Sequence, residues 1–276
     1  MSGLTFEVVR KPRNGAPVWC RRQQPTEPSM CCFSKSVEEV FDTNIFARDA
    51  QGAEQFLVYS MQFAAAEDLA MVLPLPVPPG SSEDAVHFIS LEQYPDFFTD
   101  LKKGFPVQLP RSAIQPEAAA ASPSLEVVQV GGFDASFVPT VADFARLDER
   151  FRLPAGTWER LPAYRDYGFA VFKLRKETQA VHPMAFRFPR RDPGRLFFPT
   201  VHIHDGEVHH EAYFDHMLYC QPRAEAKAIV DAWWEESLEP ARTFIKPRLA
   251  QGIVDWRAPC YRRPLFGTRR NEDTWV

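Results

Sequence analysis

The residues best equipped for chemistry crowd into TVHIHDGEVHHEAYFDH, residues 200–216, which holds five of the seven histidines of the chain. Asp205-Gly206 is the dipeptide that a type I′ hairpin turn favours, because both central positions need positive φ. A two-residue loop there sets His202 opposite His209 and Thr200 opposite Glu211. Period-two alternation then gathers Thr200, His202, His204, Glu207, His209 and Glu211 on one face, against Val201, Ile203, Val208, His210 and Ala212 on the other. Opposed Cβ atoms about 4.5–5.5 Å apart let His202 and His209 share one ion at the ~2.0–2.1 Å that zinc prefers for nitrogen. His204 or Glu211 supplies a third donor. Three protein ligands and an open position activate a water for attack on a carbonyl or phosphoryl centre. Glu207 or Asp215 is then the general base, or the partner that fixes a histidine tautomer. The expectation is a hydrolase acting on an unspecified small-molecule substrate, with a divalent metal, zinc foremost, held by His202, His204, His209 and Glu211. The same pattern also suits a solvated histidine face on a non-enzymatic protein-interaction module. HxH with a hairpin return is less specific than HExxH. His182 reads as a core-margin residue, and His216, sharing the apolar face with Phe214, reads as a core histidine.

The elements that would position this hairpin follow from the rest of the pattern. FLVYSMQF alternates, placing Leu57, Tyr59, Met61 and Phe63 on one face of a half-buried strand. MVLPLPVPPG, residues 71–80, alternates proline with aliphatics and reads as an edge strand or polyproline II segment, with residues 74–79 open to a proline-recognising partner. PDFFTDLKKG reads as a short helix with Pro95 in its first turn, Phe97, Phe98 and Leu101 facing inward, and Gly104 as its stop. The alanine-rich residues 112–124 are the best linker candidate. After them come a strand, LEVVQV, a helix opened by Thr140 with Asp143, and a short helix around Trp158. Three β-rich runs follow, then the helix AEAKAIVDAWWEESLE, ended by Pro240. The expected fold is α+β, mainly antiparallel sheet with several short helices packed on one side. Residues 1–30 read as a poorly ordered extension and 31–254 as a single domain with a sub-boundary at 112–124. Residues 255–276 read as a mobile tail, whose TWV ending offers a second route to a protein partner.

Composition narrows the classes. The chain has 276 residues and a formal net charge of -4, enough length for a sizeable core and the wrong charge for a surface built around phosphate backbone. Nucleic acid is therefore not an expected partner. No apolar run suits a signal peptide or a membrane span, so a cytoplasmic protein without membrane contact is expected. Five cysteines, an odd count without a CxxC pair, fit a reducing compartment. Twenty-five prolines against thirteen glycines favour short elements and stiff turns.

MCCFS, residues 30–34, puts two thiols side by side. With Met30 as an alternative start, Cys31 becomes an amino-terminal nucleophile, an opening similar to that of the amino-terminal-cysteine amidotransferases, although Cys32 stands where those enzymes carry glycine. With thirty residues ahead of it, the pair reads as buried packing. From Cys31 through FLVYSMQFAAAEDLAMVLPLPVPPG the chain resembles an uncharacterised bacterial domain family marked by a cysteine, a strand and a proline-punctuated apolar strand. The resemblance covers about a quarter of the chain and implies bacterial origin but no activity.

Overall fold

Residues 32–35, 37, 39–106, 134–154, 156–176, 179–180, 182–203, 209–223 and 226–276 are described by a computed structural model of the chain. In chain order it contains β1 (Cys32–Phe33), β2 (Glu39–Asp49), β3 (Glu54–Ala64), β4 (Leu69–Leu75), β5 (His87–Ser90), α1 (Phe97–Lys103) and β6 (Asp134–Val138). These are followed by α2 (Thr157–Arg160), β7 (Gly168–Leu174), β8 (Gln179–Ala180), β9 (Met184–Pro189), β10 (Phe197–Phe198) and β11 (Glu211–Gln221). The chain closes with α3 (Lys227–Trp233), β12 (Glu235–Glu236), β13 (Tyr261–Arg270) and β14 (Thr274–Trp275).

The strands make an eight-stranded sheet, β12-β13-β11-β2-β3-β9-β5 with β8 also on β3, and a four-stranded sheet, β1-β4-β7-β6. A separate ribbon pairs β10 with β14. β11 runs parallel to β2 and antiparallel to β13. The inner faces of the two sheets share the main core: Leu57, Tyr59, Met61 and Phe63 of β3 and Phe186 and Phe188 of β9 meet Met71 and Leu73 of β4 and Phe172 of β7. This is sheet-on-sheet packing, driven by two alternating apolar faces that neither sheet can bury alone.

The α+β reading is corrected accordingly. Strand dominates, the three α-helices among the described residues span at most seven residues each, and cover lies on both outer faces rather than one. On the large sheet, α1 and residues 241–254 bury Phe46, Val58 and Tyr219. On the small sheet, short turns between Val141 and Tyr164 bury Val72, Phe169 and Val171. The half-buried strand expected at 56–63 is thus covered on both faces at Val58, because α1 lies over it.

Local sequence accounts for several boundaries. β2 carries a bulge between Phe41 and Asn44, where Asp42 takes φ 53°. Aspartate tolerates that conformation because its short side chain bonds locally, here accepting from Asn44 Nδ2 at 3.1 Å. α1 begins at Phe97, with Asp96 as its cap and Pro95 ahead of the helix instead of within its first turn. The long helix expected over 224–239 stops at Trp233, because Glu235 and Glu236 pair with Arg262 and Tyr261 and pull the chain extended. Trp234, not Trp233, turns inward onto Phe198. The 112–124 linker and LEVVQV lie outside the described residues, as does the 1–30 extension.

Gly104 ends α1 for a packing reason. A Cβ there would fall 2.7 Å from ring carbons of Phe244. Gly104→Ala is expected to cost about 1–3 kcal/mol through overpacking, read as a lower urea midpoint; an unchanged midpoint would contradict the contact.

Residues 74–79 do not form a free ligand segment. Pro74 to Val77 are buried, and the carbonyls of Pro76 and Val77 accept from Arg191 N at 2.8 Å and Arg191 Nε at 3.1 Å. Among the described residues β1 pairs with Met71 and Val72 and none opposes Pro74 on that edge, where its missing N–H is tolerated.

Candidate functional site

Residues 204–208, the expected hairpin turn, lie outside the described residues, and the flanks are held by other elements. Among the described residues, 200–203 lie against β1 and the 271–274 turn: Phe33 N donates to Ile203 O at 2.9 Å, and Thr200 and Val201 donate to Asp273. Glu211 opens β11 and pairs with Arg270. A side chain clips His202 and His209 to the 271–274 turn. Asn271 Oδ1 accepts from His202 N at 2.7 Å, while Asn271 Nδ2 donates to the carbonyls of His202 and His209 at 2.9 and 3.0 Å.

The three expected metal ligands among the described residues, His202, His209 and Glu211, differ in exposure. His202 is buried, its ring 4.2 Å from that of Phe214 and 5.1 Å from that of His216. His209 and Glu211 are exposed, and His204 and Glu207 lie outside the described residues. Among the described residues no group of three His, Cys, Asp or Glu side chains is placed to hold a metal. His204 and Glu207 of the expected set are not among those residues, so the metal-binding hydrolase reading stands where the sequence left it, as an expectation.

Asp215 is not a base for this segment either. It sits on the opposite face of β11 from Phe214 and His216, and its Oδ2 accepts from the Asp42 N–H at 3.2 Å. It supports the β2 bulge. Burial, reinforced by the nearby Asp42 carboxylate, pushes its pKa above the usual range.

His216 occupies the inner face of β11 and is buried, with neither ring nitrogen hydrogen-bonded among the described residues. Burial alone lowers its pKa to about 3, so the ring is neutral at physiological pH. Cys220 and Cys260 are buried free thiols, and burial pushes both far from thiolate formation; Cys32 is buried as well. Cys31 lies outside the described residues.

The concave feature of this region is a cleft of about 680 Å³ above the buried histidines. Its walls are Tyr164 and Tyr167 from the turn before β7, Phe214 of β11, Leu265 of β13 and Trp275 of β14, and its rim carries Arg195, Arg269, Arg270 and Glu272. Residues 255–276 therefore build the site, which corrects the mobile-tail reading. β13 pairs with β11 along ten positions, and the terminal Val276 exchanges backbone bonds with Leu196 at 2.6 and 2.9 Å.

Asp273 fastens the cleft floor. Its Oδ1 accepts from Thr200 N at 2.8 Å and Val201 N at 3.0 Å, and its Oδ2 accepts from the Tyr164 hydroxyl at 2.8 Å. The residue as a whole keeps some exposure, yet its carboxylate is enclosed by protein. Enclosure raises its pKa to about 6, against the opposing pull of those three bonds.

The rim charges differ in commitment. Arg270 pairs with Glu272 at 3.5 Å. Arg195 stacks on Trp275, 4.8 Å from the ring centre, and Arg269 Nε donates to Phe266 O at 3.0 Å. Neither of these two has a carboxylate partner among the described residues.

Asn271, Asp273 and Arg269 escape notice because glycine and mixed charge in YRRPLFGTRRNEDTWV hide its period, and Arg195 because it sits in the unpatterned turn before β10. The signals were present. Tyr261, Arg263, Leu265, Gly267 and Arg269 alternate onto one face, and Asn and Asp are the residues that bond nearby backbone in place of a ladder.

Among the described residues no helix is long and apolar enough to cross a membrane. No family model matches the chain. No curated protein matches it either. Among solved structures, that of baculovirus P35 is similar over 86% of this chain and 96% of its own, with 13% identity and a TM-score of 0.49. A mutated baculovirus P35 after caspase cleavage gives 13% identity, 85% and 96% coverage and a TM-score of 0.43. The caspase-8/P35 complex gives 12% identity, 85% and 95% coverage and a TM-score of 0.43.

Proposed function

We propose that the protein is a non-enzymatic binding module that meets a protein partner through the cleft built by its C-terminal strands. The observation that carries this reading is the make-up of the cleft. Tyr164, Tyr167, Phe214 and Trp275 form its walls and arginines its rim, and aromatic residues with arginine are the types enriched where protein interfaces bury their energetic centre. Tyrosine and tryptophan supply large contact area at low entropic cost, and arginine adds oriented charge. His209, His210 and Glu211 are exposed where β11 begins, so the histidine face extends the polar margin of a contact surface instead of forming a reaction centre.

A photoreactive residue at Ala163, an exposed lining position, tests this in the intact protein. The expected result is a discrete cross-linked protein species that disappears when Trp275→Ala is added and is absent when the reporter sits at Glu92, in the outer layer over the large sheet. The same species from both positions, or one indifferent to Trp275→Ala, would end the reading.

A further inference from the structure

Among the described residues the cleft has a surplus of positive charge left without a carboxylate partner. Glu272 is taken by Arg270, and Asp273 by Tyr164 and two backbone amides. Arg195 and Arg269 remain on the rim without a carboxylate among the described residues, each held in place by a non-ionic contact, Arg195 on the face of Trp275 and Arg269 on the Phe266 carbonyl. A guanidinium stacked on an aromatic ring keeps its outer N–H fork free for an in-plane acceptor, so it is oriented before any ligand arrives.

We infer that the cleft receives a carboxylate-bearing side chain from an acidic peptide segment of the partner, gripped by Arg195 and Arg269 with its aliphatic stem against Trp275 and Tyr167. This rests on the reading of the cleft as a protein-binding surface. The geometry of the donors favours a planar carboxylate, which matches the guanidinium fork in a bidentate manner. A phosphate dianion doubles both the attraction of the arginines and the repulsion of Glu272 and Asp273, so the planar bidentate fit, and not the charge count, is what selects the carboxylate. The aromatic walls add a second requirement. A free small carboxylate leaves the half-buried Tyr167 and Trp275 uncovered, whereas a peptide flanking its acidic residue with apolar side chains covers them.

The test is selection of a displayed random-peptide library on the intact protein, followed by direct titration of the selected peptides. Acidic sequences with flanking apolar residues are the expected winners. Their affinity should fall about tenfold or more in the Arg195→Gln, Arg269→Gln double variant, and by a similar factor when the peptide's Asp or Glu becomes Asn or Gln. Higher salt should weaken them too. Both arginines are exposed, so an unchanged melting temperature of the variant shows that the loss is local.

Acid-poor winners that depend on Trp275 would keep the protein-binding reading and overturn the acidic one. So would acidic winners bound equally by the double variant, or a phosphoserine peptide bound more tightly than its glutamate counterpart. A library from which nothing binds the cleft would overturn both.

Discussion

Replacing Asp273 by alanine will destabilise the protein by about 2–4 kcal/mol, from two buried amides and one hydroxyl left without an acceptor, each costing on the order of 1–3 kcal/mol and partly offset by relief of carboxylate desolvation. The amides belong to Thr200 and Val201, both buried, and the hydroxyl to Tyr164. Asp273→Asn will recover most of the loss, because Oδ1 still accepts from both amides while Nδ2 turns toward the Tyr164 oxygen. Urea unfolding at neutral pH measures both. Equal behaviour of the alanine variant and the unmodified protein would show that the last residues are not part of the fold, as the sequence alone suggested.

The second large effect is in acid. His216 has its pKa lowered to about 3 in the folded protein, against a usual value near 6.5. Below pH 6.5 the unfolded chain takes up a proton that the folded chain refuses, so stability falls as pH drops from 6.5 toward 3, by up to about 4–5 kcal/mol for this one group. Asp273 acts in the opposite sense. Its folded pKa of about 6 lies above the usual 3.8, so the folded state holds the extra proton, and its contribution grows as pH drops from 6 to 3.8. That gain is on the order of 2–3 kcal/mol. The histidine wins. Stability measured from pH 7 to pH 4 is expected to decline, His216→Leu to flatten the decline, and Asp273→Asn to steepen it. A His216→Leu variant with an unaltered acid limb would contradict the buried neutral ring.

Much of the architecture was legible where one face of a strand is apolar. The pattern at Leu57, Tyr59, Met61 and Phe63 puts those four side chains in the main core, and alternation alone separates Asp215 from His216 on β11. Strand partners were harder to read. Asp205-Gly206 suggested that 200–204 would fold back on 207–211, but β11 pairs with a strand more than forty residues downstream and one more than 160 residues upstream. Local turn preference carries a fraction of a kilocalorie per position, and ten paired residues with a buried inner face outweigh it. The site was obscured for the same reason. Its anchors are polar residues whose value comes from unsatisfied amides on a distant segment, and a single sequence does not show which amides those are. The solvated-face alternative for the histidines and the suggestion that the C-terminal residues contact a partner both carried forward into the proposal, although as a built strand and not as a loose tail.

Hydrogen exchange of the protein, alone and bound to the partner captured at Ala163, tests the central claim most directly. The account predicts slow exchange along 261–270 in the free protein and further slowing on binding confined to segments 163–167, 195–200 and 265–275. Fast exchange throughout 261–276, or binding protection that falls elsewhere, would contradict it.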